Sequence, residues 1–492
     1  MASAATVWEF RTTGNGGNDA NGGGFDPTTP SVGTDYTQQS TVQYALTGLT
    51  SSTFPTNTIN CVTASVDMIG NYIQITGGTN FVVGFYRIAS VVAGVSFTVD
   101  NGSAANAVIT ANGASGTGNI GGALTRLDKI CGTTPIVSPG NICWVQTGAY
   151  TALTTALTIG ADGSQSGGLV HIIGYSGTRQ DTAIAEASMP VFTSVTNGIA
   201  LIIINAVTRL RFKNIKGTHT AATRGIGISA QTSASADITV ENCVFDGCVN
   251  SINLSSISFS LRLIGSTFRN CTSTTTGAVN ATTNNSAIYV SHCAFYGNAQ
   301  AGLNIGGASS ILFSIRHSIF AANLIDGVKI GSENNTVTGA VYSIENCVFY
   351  GNTGAGIHFS QAVSTPVPFL IANNIFSRNT TYGILNDTNN TLDNMLQLSN
   401  SFDANTTAPR SNLPAGVGDV TLSGNPFTNA TNKDFSLIST GAGLQCRAAA
   451  YPSYVGVMTV TDPTLTYRDD GAAQAQATGG GSTFRPFGDS VV

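Results

Sequence analysis

The chain has 492 residues, 42% of them hydrophobic and only 9% charged, with 57 glycines and a net charge of -5. A charged fraction so far below the usual value of about 25% disfavours a helix-rich protein, whose exposed faces carry Lys and Glu. The weak negative balance leaves no field to draw nucleic acid, and a surface of neutral Asn, Ser, Thr and Gly suits strands joined by many turns.

The first ten residues, MASAATVWEF, have neither the basic nor the apolar region of a secretory signal, so synthesis in a reducing cytoplasm is expected. Nine cysteines, with no tight CxxC pair, argue against a disulfide framework in so large a chain. A strand and a Gly/Asn/Asp turn follow in VWEFRTTGNGGNDANGGGFDP, Val7 to Pro27. GNGGNDANGGG carries no Lys-Ser/Thr and is turn chemistry, not a phosphate loop. Thr28 to Ile120 contains the strand-like runs NYIQIT, FVVGFYRIASVV and SFTV. Residues 1–122 are therefore expected to form an N-terminal β module, a small sandwich or barrel that attaches the chain to something or merely decorates it. The longest apolar run, IALIIINAV from Ile199, is too short to span a bilayer. In RLRFKNIKGTH, from Arg209, basic and apolar residues alternate as on the outer face of a strand.

From there one short unit recurs. Aligned on phenylalanine, its anchors are Phe245, Phe268, Phe295, Phe320, Phe349, Phe376, Phe402 and Phe427, with Ile215 as an earlier member, and the Phe anchors are 23 to 29 residues apart. Within a unit the residues alternate with period two: Ile344, Asn346 and Val348 are expected on one side, Glu345, Cys347 and Phe349 on the other. A second strand follows each anchor, as in AGLNI, DGVKI, AGIHF and YGIL. Three residues beyond the anchor stand Asn298, Asn323, Asn352, Asn379 and Asn405. If each unit is one turn of a coil, these amides stack about 4.8 Å apart as a ladder. Cys248 and Cys271 hold the same position in earlier turns, and Cys243, Cys293 and Cys347 lie two before the anchor. Cysteines that alternate with Ser and Asn in columns read as small packing residues. Strand repeats of this period signal a parallel β solenoid, expected over 123–440, with 441–492 as a cap and extended tail that covers an open strand edge.

The units VENCVFDGC and IENCVFYGN resemble the right-handed parallel β-helix (pectate-lyase-like) superfamily, which includes phage tailspikes and many phage particle proteins. GNICWVQTGAYT from Gly140 and GGLVHIIGYSGTRQD from Gly167 resemble its first two turns, and NPFTNATNKDFSL from Asn425 resembles its closing segment. VWEFRTTGNGGNDANGGGFDP resembles the strand and turn that open such domains, a pattern in which a short capping helix follows, and ALTRLDKIC, Ala123 to Cys131, is the candidate for that helix. The resemblance implies an all-β, right-handed parallel β-helix solenoid with an additional N-terminal β module.

Enzymes of this class act on polysaccharides, lyases with an acidic cluster for Ca²⁺ and a base, hydrolases with a carboxylate pair. The weak catalytic candidates are Asp237, Glu241 and Asp246, which read more simply as solvated strand and turn residues. Glu241 and Glu345 share a column four turns apart, about 19 Å by strand spacing and too far to cooperate. Asp246 and Asp326 stand alone among neutral neighbours. His292 and His317 share a column on successive turns without a third metal ligand, and Asn346 and Asn373 fill it elsewhere. No metal and no cofactor is expected.

The reading that follows is a structural protein of a tailed-phage virion, a head decoration, head fibre or spike, made in the host cytoplasm. Its expected partners are phage capsid or tail proteins, copies of itself in a homotrimer, and a host surface glycan for adhesion, with no nucleic acid and no membrane. The alternative is a polysaccharide-degrading β-helix enzyme, lyase or glycosidase, such as a tailspike depolymerase. A cell-surface adhesin would need an export signal.

Overall fold

The structure is a computed structural model. It describes residues 5–446 apart from 29–32, 52–56, 101–107, 133–135, 154–156, 160–167, 195–197, 199, 205–207, 221–224, 226, 231–235, 255–258, 282–285, 308–310, 334–341, 361–368 and 388–394. The chain divides into two compact units: Met1–Val195 with Leu201–Lys216 and Ala234–Ile238, and Thr196–Ala200 with Gly217–Ser233 and Thr239–Val492.

In the first unit Val7–Phe10 pairs in parallel with Ile142–Gln146, which pairs with Val170–Tyr175, which pairs with Thr208–Lys213. Ala149–Leu153 pairs likewise with Val191–Ser194, and Leu157–Ile159 with Ile202–Ile204. Successive parallel strands in three separate sheets are the signature of a coil. Val7–Phe10 thus belongs to the coil, and the module is inserted after it. That module is a closed antiparallel barrel of Tyr44–Ser51, Thr58–Asn60, Ser96–Val99, Gly84–Val92, Tyr72–Phe81 and Ile109–Ile120. Its core holds Leu49, Ile59, Ile73, Ile75, Ile88 and Phe97, all buried. Closure leaves no open strand edge, which settles barrel over sandwich. Of the helix candidate only Asp128–Cys131 is helical, while Leu124 bridges to Phe10.

A buried carboxylate on the first strand of the coil holds an arginine that also reaches the segment leading into the barrel. Glu9 is fully buried and accepts from Arg179 Nε at 2.8 Å, Arg11 Nε at 2.9 Å and the Tyr175 hydroxyl. Arg179 Nη1 also reaches Asp35 at 3.0 Å. Two guanidinium groups and a phenol satisfy a carboxylate that burial would otherwise penalise by several kcal/mol.

The second unit is all coil until its last segment. One sheet carries Phe259–Ile264, Ser286–Ser291, Ile311–Arg316, Tyr342–Glu345, Phe369–Ala372 and Met395–Leu398 in parallel. A second carries Val244–Asp246, Thr267–Arg269, Ala294–Tyr296, Ile319–Ala321, Val348–Tyr350, Ile375–Ser377, Ser401–Asp403 and Val420–Thr421. A third carries Ile228–Ala230, Ile252–Leu254, Val279–Ala281, Leu303–Gly307, Val328–Glu333, Ile357–Phe359, Tyr382–Asn386 and Ala408–Ser411.

The phenylalanines from Phe245 to Phe402 lie in register and stack, with ring centroids 4.7 to 6.0 Å apart. Offset ring stacks of this spacing add to the burial of each ring. The asparagine ladder forms beside them. Asn298, Asn323, Asn352 and Asn379 each donate through Nδ2 to the Oδ1 of the next, at 2.8 to 2.9 Å, ending on Asn405. A second, shorter amide ladder runs from Asn374 to Asn400 to Asp419. It continues the column of Cys243, Ser266, Cys293, Ser318 and Cys347, all buried, in which Cys347 N–H donates to Asn374 Oδ1 at 2.9 Å. The cysteines are therefore column residues with Ser and Asn as alternates. Burial pushes the Cys293 thiol up to about 12 and the Cys347 thiol up as well.

Three expectations need correction, two of them because of one left-handed corner. Strand alternation does not run through Ile344 to Phe349, because Asn346 is left-handed at φ 54° and breaks the segment into two strands of different sheets. The same corner is held by Asn242, Gly265, His292, His317, Asn373 and Ser399, all with positive φ. Ile215 follows the left-handed Asn214 as Cys243 follows Asn242, so it occupies the cysteine column, and Gly217 stands at the anchor position. Phe427 is not an anchor either. Phe402 pairs with Thr421, and Phe427–Asn429 forms an antiparallel hairpin with Asp434–Leu437. This hairpin and the helix Gly441–Cys446 pack on Ile319, Ala321, Val348 and Ile375. Those residues alternate with the inward phenylalanines, so the hairpin and helix cover the outer side of the second sheet. The tail beyond 446 lies outside the described residues.

Candidate functional site

In the third sheet Ile252 and Leu254, Leu303 and Ile305, Val328 and Ile330, and Ile357 and Phe359 are buried and the residue between each pair turns outward, as His358 does. In register these middle residues are Asn253, Asn280, Asn304, Lys329 and His358, of which Asn280 is buried between its neighbours. Asn280 donates to Asn253 at 2.9 Å and Asn304 to Asn280 at 2.7 Å, an outer counterpart of the internal ladder.

Where this row reaches His358 it meets two carboxylates. His358 Nδ1 lies 3.0 Å from Asp326 Oδ2, and Nε2 lies 3.3 Å from Asp387 Oδ1. Asp326 is 3% exposed and Asp387 45%. The other Asp326 oxygen accepts the Ala355 N–H at 2.8 Å, so this carboxylate is fixed by backbone. Burial pulls the His358 pKa down, but the hydrogen bond and charge of Asp326, then those of Asp387, outweigh it and raise it above 6.5. An imidazole held between two carboxylates keeps its second proton to higher pH than a free imidazole does.

Asp326 is thus not alone among neutral neighbours. The coil brings it a histidine from the next turn, and Asp387 from the turn after. Aligning DGVKI on AGIHF sets Asp326 level with Ala355 and Lys329 level with His358, which is the signal that could have found the group.

The sequence-derived carboxylates fall elsewhere. Asp237 is 3.2 Å from Arg209 Nη2. Asp246 pairs with Arg269 Nε at 2.8 Å and accepts from Asn270 Nδ2 at 2.8 Å. Glu241 ends the strand Ala236–Glu241, and the left-handed Asn242 separates it from Asp246 on a strand of another sheet. Glu345 is buried with Arg316 Nη2 at 3.1 Å. It lies level with Arg316, Ser291 and Ile264 of the preceding turns, as the shared column requires. His292 and His317 stack at 5.0 Å as corner residues, with Ser291 Oγ 2.6 Å from His292 Nδ1. Burial lowers the His292 pKa. Among the described residues, no three His, Cys, Asp or Glu side chains converge to hold a metal, and no helix is long and apolar enough to cross a membrane.

A family model described as the right handed beta helix region matches residues 200–367. No curated protein matches the chain in sequence. Among solved structures, pectate lyase Pel9A aligns over 72% of this chain and 91% of its own at 13% identity, with a TM-score of 0.45. The periplasmic alginate epimerase AlgG aligns over 61% and 83% at 11% identity, with a TM-score of 0.27. The tailspike protein gp49 from Pseudomonas phage LKA1 aligns over 77% and 65% at 13% identity, with a TM-score of 0.26.

Proposed function

We propose that this right-handed parallel β-helix protein is a structural component of a tailed-phage particle surface, a decoration, fibre or spike that presents a neutral polar face to host glycans. The observation that carries the reading is how the helix uses its polar side chains. Asn298 to Asn405 are bonded to one another inside, and Asp237, Asp246 and Glu345 face arginines of neighbouring turns. Side chains spent this way stiffen a scaffold, since stacked units gain stability from each neighbour. The resemblance to phage particle proteins supplies the setting, with capsid or tail proteins as docking partners and a homotrimer as the assembled form. The inserted barrel, whose leading segment Arg179 reaches at Asp35, is the attachment module in this reading.

The alternative of a polysaccharide-acting enzyme has one specific observation in its favour, the imidazole between Asp326 and Asp387. The test is to incubate the full chain with a panel of bacterial surface polysaccharides and follow retention and new chain ends together. The structural reading expects retention on at least one polysaccharide with no new reducing or unsaturated ends. Sustained release of such ends would overturn it in favour of the enzyme.

A further inference from the structure

We propose that Asp326, His358 and Asp387 form a pH-operated clasp across three successive turns of the β-helix, closed when the imidazole carries both protons and loosened when it carries one. The geometry sets the jaws. Asp326, fixed by the Ala355 N–H and nearly fully buried, is the immobile one. Asp387, half-exposed and following the strand Tyr382–Asn386, is the free one. His358 stands between them with one ring nitrogen toward each.

A carboxylate only accepts hydrogen bonds, and a neutral imidazole has one N–H and one lone pair. With both carboxylates ionised, the neutral ring donates to one and turns its lone pair to the other. The imidazolium donates to both. Through this group the ring therefore donates to both neighbouring turns only in the doubly protonated state. Charge-assisted bonds of this kind are about twice as strong as neutral ones.

The other groups facing the ring follow from the register. Lys329, level with His358 on the neighbouring strand of the preceding turn, opposes the second proton. The strand of the following turn sets Leu385 level with it and brings no charge there. Two carboxylates against one ammonium leave the balance in favour of the imidazolium, in accord with the raised pKa of His358. A histidine pKa raised on folding gives stability that is fully present below the unfolded value and lost as pH rises through the folded one. The clasp is thus closed below 6.5 and loosens as pH rises through the raised value of the folded chain.

The test is a histidine-selective NMR titration of the full chain, joined to hydrogen exchange of the turn segments corrected for intrinsic rates. The expected result is a His358 midpoint above 6.5 that falls in Asp387→Asn and falls further in Asp326→Asn. The Asp387 N–H, which donates to the Phe359 carbonyl, should lose protection several-fold as pH passes that midpoint. His358→Gln should remove the step. A midpoint at or below 6.5, a midpoint unmoved by Asp387→Asn, or a step that persists in His358→Gln would overturn the clasp. Should Asp326→Asn not fold, Asp387→Asn decides alone, because Asp387 is half-exposed and its loss leaves the buried jaw intact.

Discussion

Asn352 Nδ2 donates to Asn379 Oδ1 at 2.9 Å and to the Phe320 carbonyl at 3.0 Å. One buried amide thereby ties three turns, and its own Oδ1 accepts from Asn323 at 2.9 Å. Replacing it strands more than one buried group, each costing about 1–3 kcal/mol. Asn352→Ala should therefore lower the denaturation midpoint clearly more than Asn405→Ala, at the less buried end of the ladder. Equal effects in parallel urea titrations would show that the amides do not work as a ladder.

The phenylalanine stack makes a separate demand. Phe349 lies between Phe320 and Phe376 at 5.2 and 4.9 Å, and all three are buried. Phe349→Ala should cost about 3–5 kcal/mol. Phe427→Ala removes a ring from the outer hairpin, where it meets Tyr350 and Phe435. It should open residues 427–446 to limited proteolysis while amides of the stacked turns keep their exchange protection. Loss of protection along the stack in Phe427→Ala would return Phe427 to the repeat.

Arg179 and Arg269 form ion pairs of different depth. Arg179→Met removes one of the two guanidinium partners of the fully buried Glu9 and leaves Arg11, a loss of about 1.5–3 kcal/mol. Arg269→Met breaks a part-exposed pair with Asp246 and should cost about 1 kcal/mol or less. Thermal unfolding of the two variants beside wild type checks the order, and a milder Arg179→Met would deny Arg179 its role beside Glu9.

All nine cysteines are buried. With Cys293 pushed up to about 12, a thiol reagent at pH 8 should label almost none of the native chain and all nine after unfolding. A thiol pKa raised on folding also means stability that is present below the unfolded value of 9.0 and lost as pH climbs past it. Ready labelling of native Cys243, Cys293 or Cys347 would contradict their placement as packing residues.

The sequence made the solenoid legible because two residue types recur in fixed relation, Phe inward and Asn three residues on, and the structure sets both in unbroken columns. Corners were harder to read. The same left-handed position is held by Asn346, Gly265, His317 and Ser399, so side-chain type does not mark it, and Ile215 slid into the wrong column. Phe427 misled because its spacing matches the repeat while its pairing is antiparallel. The Asp326–His358–Asp387 group escaped because its members belong to three turns whose register depends on loop length, not on local pattern. Barrel against sandwich turned on closure of the six strands, which alternation in single strands does not encode.

The most direct test of the structural account is to purify particles from the source lysate on a density gradient and assay the particle band for this chain by mass spectrometry. The account predicts the chain in the particle band at a fixed ratio to the major particle protein, retained through high-salt washing. Recovery of the chain only in the soluble fraction, with the particle band free of it, would contradict a role on the particle surface.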